Sequence, residues 1–106
     1  MTHEYANVNG VRLHYVKAGS GKKLIMFVHG FPEFWYEYKK QLEAFGAGNE
    51  YTAVAPDLRG YNLSSKPASK KEYQVKHITE DLRQLAWRIG RGVQNNKNRR
   101  FKILWY

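Results

Sequence analysis

The chain contains no cysteine among its 106 residues, and it has no long apolar run. Without cysteine there is no disulfide framework and no thiolate metal site, a pattern that fits a cytoplasmic protein. The longest apolar runs, Leu24–Val28 and Ile103–Tyr106, fall far short of the roughly 20 residues that a membrane-spanning helix needs. Met1–Tyr5 lacks the basic start and apolar stretch of a secretory signal. We therefore expect a cytoplasmic location and no membrane contact.

Acidic residues are absent from the last sixteen positions, so the net charge of +9 is unevenly distributed along the chain. Residues 1–90 contain 13 Lys and Arg against 9 Asp and Glu, whereas residues 91–106 contain five basic residues and no acid. A basic balance usually favours a nucleic-acid partner. Because more than half of the excess lies in the tail, we do not expect nucleic acid to be the main partner.

Histidine is the remaining common metal ligand, and no spacing of the four histidines predicts a metal site. His3, His14 and His77 have no partner pattern and are interpreted as surface or sheet residues. We expect no metal and no cofactor.

The periodicity predicts an α/β fold with a mixed sheet, in which an N-terminal hairpin precedes a β-α-β-α unit. Asn9-Gly10 separates two strand-like runs, 4–8 and 11–17, and this dipeptide favours a two-residue hairpin turn. Leu24–Val28 is uniformly apolar, as in a parallel strand buried on both faces, and Tyr51–Ala55 is a second short strand. Apolar residues at helical spacing predict helices over 34–45 and 75–89, the second ended by Gly90.

Two segments in this order carry a family resemblance. They are His29-Gly30-Phe31-Pro32-Glu33-Phe34-Trp35-Tyr36 and the loop from Asp57 to Pro67, Asp57-Leu58-Arg59-Gly60-Tyr61-Asn62-Leu63-Ser64-Ser65-Lys66-Pro67. They resemble the N-terminal part of α/β-hydrolases. Within that fold they are most similar to the epoxide hydrolase branch, with haloacetate dehalogenases as near relatives. The resemblance covers about residues 4–90. It implies a truncated α/β-hydrolase fold, with residues 1–90 as the N-terminal part of the domain and 91–106 as a divergent basic tail.

The resemblance implies that the backbone N–H of Phe31 belongs to an oxyanion hole, supported by His29, Gly30 and Pro32. It also implies a cis bond before Pro32. In the intact family an aspartate opens a small epoxide or haloacid substrate to an ester, which water then attacks through an oxyanion. One fixed N–H donor contributes roughly 3 kcal/mol in comparable chemistry. Phe31 lacks the amide with which haloalkane dehalogenases hold halide, which favours epoxide or haloacetate substrates.

The other polar residues in and near these motifs are predicted to have structural rather than catalytic roles. The family's base lies near the C-terminus of the whole domain, so His29 is predicted to order loops. Asp57 follows a strand as a nucleophile can, but the resemblance assigns it, with Arg59, to bracing the turn. Asn62 replaces the usual glycine and tolerates the left-handed region. The serines at positions 64 and 65 have no Gly-x-Ser-x-Gly elbow, so neither is predicted to be a nucleophile.

After Gly90 the family continues into a strand ending in Gly-His-Asp-x-Gly-Gly, whose Asp is the nucleophile. The sequence here has Phe101–Tyr106 instead, so we expect nucleophile, acid and base to be missing and the chain to be inactive alone. A frameshift or truncated gene and a genuine divergent C-terminus both remain open. A second hypothesis is a non-enzymatic binding module that uses its basic-aromatic tail on nucleic acid or an acidic surface.

The tail also bears on the sheet. The resemblance places Leu24–Val28 between the Tyr51–Ala55 strand and the nucleophile's strand. We therefore predict that Phe101–Tyr106 docks imperfectly beside Leu24–Val28, with Arg91–Arg100 as a mobile linker. Its outer edge stays unpaired, so we expect marginal stability and self-association or aggregation.

Overall fold

The computed structural model describes residues 1–30, 33–93 and 100–105. For residues 91–93 and 100–105 it describes the backbone only. The strands are β1 (Thr2–Val8), β2 (Val11–Ala18), β3 (Lys23–Val28), β4 (Tyr51–Pro56) and β5 (Arg100–Trp105). The α-helices are α1 (Lys39–Gly46) and α2 (Val75–Val93), each preceded by a short 3-10 helix, Trp35–Tyr38 and Lys70–Tyr73.

The hairpin is confirmed, and its turn has the predicted chemistry. Val8 pairs with Val11, so that Asn9 and Gly10 form a two-residue connection between β1 and β2. Both have positive φ, 49° for Asn9 and 77° for Gly10. A two-residue turn with both central residues in this region matches the twist of the two strands, and Asn-Gly is favoured in such a turn.

The five strands form one mixed sheet in the order β1-β2-β4-β3-β5. β2 runs antiparallel to β1 and β4, whereas β3 is parallel to both β4 and β5. β5 pairs with β3 along its whole length, from Lys23 opposite Arg100 to Val28 opposite Trp105. The prediction that the C-terminal segment docks beside Leu24–Val28 is confirmed for the backbone of 100–105.

The core lies on both faces of this sheet, and β3 contributes to both. Leu24, Met26 and Val28 pack on the α2 side. Ile25 and Phe27 pack on the α1 side. A strand covered on both faces is apolar at every position, which explains the uniform run from 24 to 28.

Two helix boundaries differ from the predictions. The segment from Trp35 to Tyr38 is a 3-10 helix, and the α-helix begins only at Lys39. α2 does not end at Gly90 but continues to Val93. A glycine within a helix costs about 1 kcal/mol but does not forbid it. Of the predicted linker Arg91–Arg100, residues 91–93 are therefore helical and Arg100 begins β5. Residues 94–99 lie outside the described residues.

Within the described part of the chain, no helix combines the length and the apolar character needed to cross a membrane.

Candidate active-site loop

The loops that carry the two sequence motifs lie at one edge of the sheet. β3 and β4 are parallel, so the segments that follow Val28 and Pro56 leave the sheet on the same side. Trp105, at the end of β5, is paired with Val28 and lies at this edge as well. The carboxyl edge of parallel strands is where open α/β sheets bind ligands, so this edge is the candidate functional site.

His29 joins the two motif loops. Its side chain is buried, and its Nε2 accepts a hydrogen bond from the Leu58 N–H at 3.0 Å. An accepting Nε2 carries no proton, so Nδ1 bears the hydrogen and donates to the Gly30 carbonyl at 2.9 Å. Tyr61 packs edge-on against the ring at 4.8 Å between centroids. Both ring nitrogens are thus engaged in ordering loops.

The stretch after His29 is closed on itself. The Glu33 N–H donates to the Gly30 carbonyl at 2.9 Å, so the two ends of residues 30–33 are hydrogen-bonded. Gly30 therefore accepts from a backbone N–H and from the imidazole of His29. Phe31 and Pro32, for which an oxyanion-hole N–H and a cis bond are expected, lie outside the described residues.

Asp57 is a fully buried acceptor at the start of the second loop. Its Oδ1 accepts from the Trp35 N–H at 2.9 Å. Its Oδ2 accepts from Asn62 Nδ2 at 2.9 Å and from His14 Nδ1 at 2.6 Å. Charge-assisted bonds of this kind are shorter and stronger than neutral ones. Asp57 therefore links the two motif loops and β2.

His14 has a partner that the sequence prediction did not assign. It lies in β2 with its side chain fully buried against Asp57, and its Nε2 is 2.8 Å from Nδ1 of the exposed His3. A weak signal was present, because His14 alternates with Val16 and Ala18 at the period of a strand and so shares a face of β2 with these apolar residues. Its acidic partner becomes identifiable only when β2 is paired with β4.

Arg59 forms the second buried ion pair of this region. Its guanidinium binds Asp81 of α2 through Nε at 2.7 Å and Nη2 at 2.6 Å, and both side chains are about 1% exposed. Nη1 donates to the Glu72 carbonyl at 2.7 Å. The hydrogen bonds to Asp81 raise the pKa of Arg59 above its ordinary value. Asp81 was missed by the sequence analysis, although an acid three residues after Ile78 lies on the apolar stripe of α2.

The loop between these pairs is held by its own polar groups. Asn62 adopts a left-handed conformation with φ of 44°, as its substitution for glycine predicted. Ser64 is buried, donating to the Asp57 carbonyl and accepting from the His14 N–H. The Ser65 hydroxyl accepts from the Arg12 N–H. Both hydroxyls bond to backbone, which agrees with the interpretation that neither serine is a nucleophile.

No group of three acidic or histidine side chains that suits a metal ion occurs in the described ranges. Among the described residues of the site, His14 and Asp57 are in direct contact, and their remaining bonding atoms are occupied by protein groups.

Comparison with known proteins identifies the fold family of this chain. Residues 23–96 match the family described as alpha/beta hydrolase fold. The chain is 45% identical over 87 residues to epoxide hydrolase 1 of Caenorhabditis elegans, covering 81% of this chain and 21% of that protein. It is 42% identical over 92 residues to epoxide hydrolase 4 of Mus musculus, covering 84% and 25%.

Solved structures agree with the sequence comparison. The chain superposes on an epoxide hydrolase from Vigna radiata with a TM-score of 0.79 and 38% identity, covering 84% of this chain and 27% of the other. It superposes on an epoxide hydrolase from Bacillus megaterium, determined with an inhibitor, with a TM-score of 0.76 and 45% identity, covering 82% and 30%. The chain thus spans about a quarter of the length of the relatives it matches.

Proposed function

Because the chain belongs to the α/β-hydrolase fold family, we propose that it is the N-terminal part of an epoxide hydrolase-like domain. In this proposal the loop of residues 29–32 contributes one half of an oxyanion hole through the backbone N–H of Phe31. The observation that carries the proposal is the His29 imidazole, which hydrogen-bonds Gly30 on one side and Leu58 on the other at the carboxyl edge of the sheet.

A backbone donor at this position suits epoxide hydrolysis. The proposed reaction forms an ester between an aspartate and the opened epoxide, and attack by water gives a tetrahedral intermediate with a negative oxygen. An N–H that is already oriented stabilises this charge without reorganisation in the transition state. The hydrogen bond from Glu33 to Gly30 and the ring of His29 restrain the backbone on either side of Phe31.

We further propose that the chain does not catalyse turnover by itself. The sequence contains no Gly-His-Asp-x-Gly-Gly segment to supply the nucleophile. The pairing of Val28 with Trp105 brings the end of β5 to the same edge of the sheet as the end of β3. An oxyanion hole without a nucleophile has no intermediate to stabilise.

The first test assays the purified 106-residue chain with styrene oxide, chloroacetate and 4-nitrophenyl acetate. We expect product formation at the rate of buffer alone. Release of diol, chloride or nitrophenol above that rate, together with its loss in Phe31→Pro, would refute the proposed inactivity.

The second test restores the missing part. Residues 1–90 are joined to the continuation of the Vigna radiata epoxide hydrolase, and hydrolysis of styrene oxide is measured. Phe31→Pro removes the backbone donor and should lower kcat by about 100- to 1,000-fold, whereas Phe31→Leu keeps the N–H and should retain most of it. A folded hybrid without activity, or equal losses in both variants, counts against the proposal.

The binding-module hypothesis gains no support. The backbone of Arg100–Trp105 is used as a sheet strand against β3, so the tail is not an independent arm over those residues. A small-molecule epoxide is therefore the proposed substrate of the intact domain, and nucleic acid is not proposed as a partner.

A further inference from the structure

Asp57 and Leu58 each form one hydrogen bond with a flank of the 29–34 loop. On the N-terminal flank, the Leu58 N–H donates to His29 Nε2 at 3.0 Å. On the C-terminal flank, the Trp35 N–H donates to Asp57 Oδ1 at 2.9 Å. Trp35 is the first residue of a 3-10 helix, and such an N–H has no acceptor within its own helix. Asp57 supplies the acceptor that this N–H lacks.

A carboxylate can accept from the donors on both sides of Asp57. Oδ1 faces the N–H of Trp35, while Oδ2 faces the side-chain donors of His14 and Asn62. An asparagine has one oxygen, so its NH₂ group would face either the Trp35 N–H or the donors around Oδ2, which also include the Leu63 N–H at 3.5 Å. Leaving buried donors facing each other is costly, so the amide cannot reproduce the arrangement despite its equal size.

His14 fixes the orientation of this carboxylate. Its Nδ1–H donates to Asp57, and its backbone is bonded to the same loop, since the carbonyl accepts from the Asp57 N–H and the N–H donates to Ser64. When His14 is neutral, its Nε2 accepts from Nδ1–H of His3. The chain of side chains His3, His14 and Asp57 thus ends on the backbone N–H of Trp35.

We propose that Asp57, oriented by His14, is a positioning residue that fixes the C-terminal flank of the 29–34 loop at the Trp35 N–H. This inference deepens the proposed function, on which its catalytic consequence rests. Its structural part concerns the Trp35 N–H and stands without any activity. Asp57 touches no reacting atom and acts through the loop.

The first experiment needs no substitution. Amide hydrogen exchange, followed by NMR on the full 106-residue chain, should show the Trp35 N–H exchanging at least about 100-fold slower than an unprotected amide. Free exchange of this N–H while the amides of Val54 and Leu82 remain protected would overturn the proposal.

The second experiment compares Asp57→Asn with Asp81→Asn, which alters an equally buried acid in the other ion pair. Asp57→Asn should accelerate exchange of the Trp35 N–H at least about tenfold more than exchange of the core amides. Asp81→Asn should change all of them by one common factor that follows global stability. Equal behaviour of the two variants would refute a specific role for Asp57.

The catalytic consequence is tested in the hybrid with the Vigna radiata continuation. Asp57→Asn should lower kcat at least about tenfold with KM changed less than about twofold, as expected for an interaction that acts in the transition state. Asp81→Asn should retain kcat in the folded fraction. An inactive parent hybrid would contradict only the proposed function. The hydrogen bond between Asp57 and the Trp35 N–H is tested separately by the exchange experiments. A normal kcat in Asp57→Asn with a loosened Trp35 N–H would refute the catalytic consequence.

Discussion

The buried pair of Arg59 and Asp81 offers the strongest test of the structure. In Arg59→Met the carboxylate of Asp81 loses both guanidinium bonds and keeps the Asn9 side-chain amide at 2.9 Å. Removing one partner of a buried ion pair costs about 3–5 kcal/mol, because a charge stays buried without compensation. A domain of this size has a free energy of unfolding of about 5–15 kcal/mol, so the variant should lose at least about a fifth of its stability.

Urea denaturation followed by tryptophan fluorescence measures this loss. With a slope of about 2 kcal/mol per molar urea, the midpoint should fall by about 2 M. Glu72→Gln is the matched control, because Glu72 Oε1 is 3.5 Å from the guanidinium but 48% exposed. Its loss should stay below about 1 kcal/mol.

The double variant Arg59→Met with Asp81→Leu separates a buried charge from lost packing. Replacing both ions by apolar side chains removes the uncompensated charge, so the double variant should be more stable than Arg59→Met alone. A loss below about 1 kcal/mol in Arg59→Met, or a double variant as unstable as the sum of the single variants, would refute the reasoning.

Three further predictions follow from local geometry. Gly60→Ala should lower the free energy of unfolding by about 2–4 kcal/mol, because φ is +87° and a Cβ would lie 2.5 Å from Tyr73. Gly48 has open space around it, so Gly48→Ala should change the free energy of unfolding by less than about 0.5 kcal/mol. Similar urea midpoints for the two variants would contradict this prediction. Hydrogen bonds from Arg83 and Gln84 lower the pKa of Glu80 from 4.5 to about 2. The stabilisation is therefore present above the unfolded value and is lost as the pH falls through about 2. In Arg83→Ala only the Gln84 bond remains, so ¹³C NMR titration should show a Glu80 pKa closer to 4.5. Deleting residues 94–106 removes β5 and exposes the backbone edge of β3, so light scattering should detect more self-association than in the full chain; an unchanged monomer would argue against edge protection by β5.

The local pattern of the sequence determined most elements of the fold. The Asn9-Gly10 turn, the uniformly apolar 24–28 run and the two helical stripes depend on interactions within one element or with a generic apolar core. The family resemblance added the expected neighbour of β3, which the pairing with β5 confirms. The predicted ends of the helices were less accurate. The free-energy cost of Gly90 within a helix is small compared with the stabilisation from packing of α2, which continues to Val93.

The connections around the loop were decided by tertiary structure alone. His14 and Asp57 are 43 residues apart, and they meet because β2 and β4 pair antiparallel with Tyr15 opposite Pro56. Arg59 and Asp81 meet because α2 packs on the sheet face beneath the second loop. A sequence shows that a residue is polar and lies on a buried face. Which opposite charge compensates it depends on strand register and helix placement, and only the folded chain fixes those.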